Sequence, residues 1–135
     1  MNRVRIAAAT GTSAVAIALA LGFAPLASAA PAKAAVSACV TDLQAAQNSN
    51  NAAIAADQAN NTAAARNHNL STATSLLSAA VDCMGQPSSV TANVLTATTS
   101  NVAATVFNLL GASAAALDSE QSTAAAITSA LANAS

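Results

Sequence analysis

Between Cys39 and Cys83 the chain reads CVTDLQAAQNSNNAAIAADQANNTAAARNHNLSTATSLLSAAVDC, a stretch free of glycine and proline. Alanine, its commonest residue, is the strongest helix former because it loses no side-chain entropy on folding. An unbroken helix would hold the two cysteines 44 residues apart, roughly 66 Å at 1.5 Å per residue. A disulfide needs Cα atoms within about 7 Å. If Cys39 and Cys83 pair, the stretch must fold back on itself as two antiparallel helices. The midpoint falls at Asn60-Asn61-Thr62, where asparagine tolerates the left-handed conformation and Asn61 or Thr62 can cap a new helix. The other asparagine clusters, at 48–51 and 67–69, would make the arms unequal and put the cysteines out of register.

The remainder of the chain has matching dimensions. Gly85-Gln86-Pro87 is a strong stop, with Ser88 or Ser89 as candidate N-cap of the next helix. Gly111 is the single breaker after that and suits the position just past a helix end. Ser113, or Asp118 with Gln121, can open the last helix. The expected fold is all-α: a disulfide-clipped hairpin over about 36–60 and 62–84, packed with a helical pair over about 89–110 and 113–133 as an antiparallel four-helix bundle. A single helix over 89–133 is the alternative. Bulky apolar residues suggest the buried faces: Leu70, Thr74, Leu77, Val81 and Met84, then Val90, Val94, Val102, Val106 and Leu109, then Leu117, Ala124, Ile127 and Leu131.

Residues 1–29 read as a secretory signal peptide. Arg3 and Arg5 precede an apolar run from Ala14 to Ala24, and Ala27-Ser28-Ala29 fits the small-x-small cleavage pattern, so residues 30–135 form one helical domain. Val36-Ser37-Ala38-Cys39 resembles the lipobox before the lipid-modified cysteine of bacterial lipoproteins. In that family the cysteine directly follows the apolar core, whereas Pro25, Pro31 and Lys33 intervene here. Export to an oxidising compartment makes a disulfide between Cys39 and Cys83 the favoured reading.

Composition narrows function. The hydrophobic fraction of 54% is mostly alanine, at 42 residues, and the charged fraction is 7%. Four Lys/Arg with no Trp or Tyr make neither a basic stripe nor a stacking platform, which excludes nucleic-acid binding. Beyond residue 29, Lys33 and Arg66 stand against five acids, a net charge of −3 too small to steer a charged partner. The stretch Val102–Leu117 is too short to span a bilayer.

Few groups offer chemistry. His68 is the single histidine, and the hairpin carries it about seven residues from the turn and 15 from Cys83, so a Cys–His metal or haem site is not expected. Asp42 and Asp82 lie near the disulfide, and Asp57 and Arg66 are placed for an ion pair across the turn. No nucleophile motif accompanies them. The expectation is a secreted protein with no enzymatic activity and no cofactor, serving as a structural or interaction module whose partner is a protein or envelope component. The alternative is a carrier of a small apolar ligand, lipid or haem, in a cavity lined by Leu95, Val102, Phe107 and Leu110.

Overall fold

A computed structural model describes residues 37–135. The expectations about the signal peptide and its cleavage lie outside the described residues. The described residues form four helices: α1 Ala38–Gln58, α2 Thr62–Asp82, α3 Ser88–Leu109 and α4 Ser113–Asn133. Each packs on its sequence neighbour, and α1 also packs on α4, which closes an antiparallel four-helix bundle. The single-helix alternative over 89–133 is therefore wrong. Cys39 and Cys83 are joined with Cα atoms 4.7 Å apart, and a sulfur so engaged carries no thioether lipid. Among the described residues no helix is long and apolar enough to cross a membrane.

The two tight turns use the same device. At the end of α1, Asn60 takes φ 56°, its N–H bonds to the Asp57 carbonyl at 2.9 Å, and the Asn61 N–H reaches back to Ala56 at 2.8 Å. At the end of α3, Gly111 takes φ 71°, and the Gly111 and Ala112 N–H groups bond to Asn108 and Phe107 at 3.2 and 2.9 Å. Both are Schellman motifs, which need a left-handed residue at this position. Asn61 then caps α2, its side-chain oxygen accepting from the Ala64 N–H at 3.1 Å.

The serine caps expected for α3 and α4 do not form. Pro87 and Ala112 hold the cap positions without a side-chain bond, leaving Ser88 and Ser113 as first helical residues. Proline's fixed φ suits entry into a helix. Ser113 instead bonds Asn60 Oδ1 at 3.4 Å, tying the two turns together at one end of the bundle. At the opposite end Gln86 bonds the backbone of Ser135 in both directions, at 3.0 and 3.1 Å.

The buried residues recur at 3–4 spacing: Cys39, Leu43, Ala46, Asn50, Ala53 and Asp57 on α1, and Ala65, Asn69, Thr72, Leu76 and Ala79 on α2, continuing to Cys83. On α3 they are Val90, Val94, Ala97, Asn101, Ala104 and Asn108, and on α4 Ala116, Glu120, Thr123, Ile127 and Ala130, with Ala126 also buried beside Ile127. This is the heptad seam of helices crossing at a shallow angle. The bulky stripes expected inside are largely outside. Leu70, Leu77, Val81, Met84, Val102, Val106 and Leu109 are exposed, and only Val90, Val94 and Ile127 of the anticipated residues are fully buried. The disulfide explains the difference: it turns both cysteines inward, and heptad steps counted from them select alanine, asparagine and threonine for the seam.

The seam also repeats. Every buried position on α1 and α2 has a buried or partly buried counterpart 51 residues later: Cys39 with Val90, Leu43 with Val94, Asn50 with Asn101, Asp57 with Asn108, Asn69 with Glu120, Thr72 with Thr123, Leu76 with Ile127, Ala79 with Ala130 and Cys83 with Ala134. The left-handed residues Asn60 and Gly111 obey the same offset. The bundle is thus one helical hairpin used twice, the copies related by an approximate two-fold axis.

Candidate functional site

Two features stand out on this frame, a polar core at the end of the bundle holding the tight turns and an apolar outer face on α2 and α3.

The apolar core, with Leu43, Leu76, Val90, Val94 and Ile127 around the disulfide, fills the other end. Toward the tight turns the seam becomes polar: Asn50, Asp57, Asn69, Asn101, Asn108 and Glu120 are all buried. Their bonds obey the two-fold. Asn50 donates to the Glu120 carbonyl and its counterpart Asn101 donates to the Asn69 carbonyl, each at 2.9 Å. Across the axis the two acids meet their own counterparts. Asn108 Nδ2 donates to Asp57 Oδ2 at 2.9 Å, and Asn69 Nδ2 to Glu120 Oε1 at 2.8 Å. Asn108 also reaches Glu120 Oε1 at 3.4 Å, linking the two carboxyls. Each axial pair is one acid and one amide, which avoids setting two carboxylates or two amides face to face.

The cluster remains rich in acceptors. Asn50 Oδ1, Asp57 Oδ1, Asn69 Oδ1, Asn101 Oδ1, Asn108 Oδ1 and Glu120 Oε2 are buried without a protein donor. Burial first, and the neighbouring Asp57 carboxyl second, push Glu120 up to about 7, against the opposing pull of its bonds from Asn69 and Asn108. A proton on Glu120 therefore relieves the cluster of one charge and supplies one of the missing donors.

Asparagine also stands opposite every acid of the repeat: Asp42 pairs by offset with Asn93, Asp57 with Asn108, Asp82 with Asn133, Asp118 with Asn67 and Glu120 with Asn69. Asp42 and Asp82, singled out in the sequence, do come together beside the disulfide. Desolvation, then the Asp82 carboxyl, raises Asp42 above the ordinary carboxylate range. Asp57 does not form the expected surface pair with Arg66; it turns inward to Asn108 because its heptad position faces the seam. His68 lies part-buried on α2, where its carbonyl accepts from the Thr72 hydroxyl at 3.0 Å.

The second feature is on the outside. Among the described residues nine large apolar side chains are exposed, all within residues 70–110: Leu70, Leu77, Val81 and Met84, then Leu95, Val102, Val106, Leu109 and Leu110. The internal cavity of the alternative carrier reading is not formed by its named residues, since Leu95, Val102 and Leu110 are on this outer surface. They lie there because each falls one or two places beyond a seam residue. Leu77 and Leu95 instead flank an open groove of about 330 Å³ between α2 and α3, lined also by Ala80, Val94 and Thr98.

The two-fold repeat provides an internal comparison for this face. Leu70 and Leu77 on α2, with Met84 just past its end, run at seven-residue spacing, as do Leu95, Val102 and Leu109 on α3. Their counterparts 51 residues away, on or just past α4 and on α1, are Gln121, Thr128, Ser135 and Gln44, Asn51, Gln58, all exposed. Six positions are apolar on the α2/α3 face, and all six are polar on the equivalent α1/α4 face. There a bond from Gln47 to Thr128, 3.1 Å long, bridges the helices. No charged residue occurs between Cys83 and Leu117.

No family model, curated protein or solved structure matches the chain.

Proposed function

We propose that the protein is a secreted, non-enzymatic interaction module that docks through the dry face of α2 and α3. The observation that carries this reading is the contrast between the two symmetry-related faces. Both present the same backbone and the same seam to the core, so the fold gains nothing from leucine at 77 or 95 that threonine at 128 and glutamine at 44 do not supply. Apolar surface placed where folding does not need it, and concentrated beyond the few hundred Å² of an ordinary monomer patch, is the mark of a binding surface. The buried disulfide supports the secreted setting, since such bonds persist in oxidising compartments. A carrier of a small apolar ligand would use the groove at Leu77 and Leu95, but the dry stripes continue from Leu70 to Met84 and from Leu95 to Leu109, about 21 Å each at 1.5 Å per residue, further than one small molecule reaches.

Hydroxyl-radical footprinting tests the proposal. In the protein's native setting Leu70, Leu77, Met84, Leu95 and Val102 should be protected relative to dilute purified chain, while Ala125 and Ala132 on α4 label equally in both. Equal labelling of the α2/α3 stripes in the two preparations would refute it.

A further inference from the structure

We infer that the occupant of the dry face is a second copy of this chain, giving a symmetric dimer in which α2 and α3 of one protomer lie against α2 and α3 of the other. This rests on the reading of that face as a docking surface and adds its partner.

Three observations select self-association. The first is area. Nine side chains, each roughly half to three-quarters exposed, present on the order of 900 Å² at about 100 Å² apiece, close to what one partner contributes to a standard interface. The second is charge. From Cys83 to Leu117 the chain has no ionisable side chain other than the disulfide-bonded cysteine, and Arg66 is the single Lys/Arg of the described residues against five acids. A face whose α3 half carries no charge and whose α2 half carries only Arg66, His68 and Asp82 as ionisable groups, on a chain of negative sign, suits neither an anionic membrane surface, which recruits basic residues, nor a charge-selected protein. An isologous contact, which sets like surface against like, needs no charge complement and is the commonest symmetry of soluble oligomers. The third is periodicity. Leu70, Leu77 and Met84, and Leu95, Val102 and Leu109, repeat at seven residues, the spacing that lets one helix's ridge seat between those of another helix of the same period. The groove between Leu77 and Leu95 gives such a ridge a place to enter.

Sedimentation of the chain as secreted, residues 30–135 on the expected cleavage, across about 1 to 100 µM, the range in which a modest interface shows its midpoint, should reveal a reversible monomer–dimer equilibrium. Met84 oxidation should slow as the dimer forms. Importing the wet face, Leu77→Thr with Leu95→Gln, should leave helicity and the disulfide intact and abolish the dimer. Exporting the dry face, Gln44→Leu with Thr128→Leu, should join dimers into larger species. A chain that stays monomeric at about 100 µM, or one that binds zwitterionic vesicles as a monomer, overturns self-association. If Leu77 and Leu95 are nonetheless protected in the native setting, the docking reading stands and only the identity of the partner falls. If they are labelled there too, both fall.

Discussion

Glu120 is the residue on which solvent conditions act most directly. Its carboxyl is buried, lacks a donor on Oε2 and is raised from 4.5 to about 7. A raised carboxyl binds its proton more tightly in the folded chain than in the unfolded one. Its contribution is therefore fully present below about pH 4.5 and is lost as pH rises through about 7, with a limiting slope of about 1.4 kcal/mol per pH unit. Asp42, also raised, acts with the same sign, losing its contribution as pH climbs past its ordinary range. The melting temperature should fall between pH 5 and pH 8, and Glu120→Gln should flatten that fall and raise stability at pH 8. Thermal melts at the two pH values decide it; a Glu120→Gln variant less stable than the parent at pH 8 would show that the ionised acid is preferred. Asn60 offers a second check at this scale. Its φ of 56° makes Asn60→Ala destabilising by about 1–2 kcal/mol, whereas Asn60→Gly, copying Gly111 in the other hairpin, should be tolerated.

Two adjacent leucines separate the roles of the helix faces. Leu76 is fully buried beside the disulfide and Leu77 is 64% exposed. Leu76→Ala should cost about 2–5 kcal/mol, through lost burial and the cavity left behind, and Leu77→Ala in the monomer less than about 0.5 kcal/mol. Denaturant melts of both variants at low concentration test the assignment. The pair also shows what was legible in the sequence. The hairpin and its turn at Asn60 follow from alanine propensity and the two cysteines; Gly111 favours a break in the second half but leaves one long helix over 89–133 open, an alternative that only the structure closes. The faces do not follow from hydrophobicity, because the bulkiest stripe, Leu70–Leu77–Met84, is the outer one and the seam is filled by small and polar residues. Hydrophobic periodicity finds the core when the core holds the largest apolar groups. In this chain the cysteines were the better guide: steps of three and four from Cys39 lead to Asn50 and Asp57, and from Cys83 back to Asn69. The polar core was equally readable as a 51-residue echo, Asn50 with Asn101 and Thr72 with Thr123, though composition hides it, since alanine matches alanine at many offsets.

For the molecule as a whole the disulfide is the covalent asymmetry between the hairpins. It closes a separation of 44 residues in the first, a constraint worth about 4 kcal/mol in the chain-entropy model, while Val90 and Ala134 stand unlinked at the matching places in the second. Alanine seams bury little area per contact, so the link is a large fraction of net stability. Reduction should lower the melting temperature by about 10 °C or more, at 4–8 °C per kcal/mol, with helicity at low temperature largely kept. Circular dichroism with and without reductant measures both. A melt insensitive to reductant would mean that helix packing alone suffices.

The approximate two-fold also bears on the order of the helices along the chain. Gln86, in the link between α2 and α3, already holds Ser135 at the end of α4, and α1 starts at that same end, beside the disulfide. Joining the end of α4 to the start of α1 would repeat a connection the molecule makes once, and cutting at Gly85 would undo its twin. A circular permutant running α3, α4, α1, α2 would then keep both tight turns, the polar core and the cysteine pair. The bundle should therefore tolerate either hairpin coming first in the chain; the dry face should not, because permutation makes α2 and α3 the two ends of the chain and leaves the surface between them without a covalent bridge.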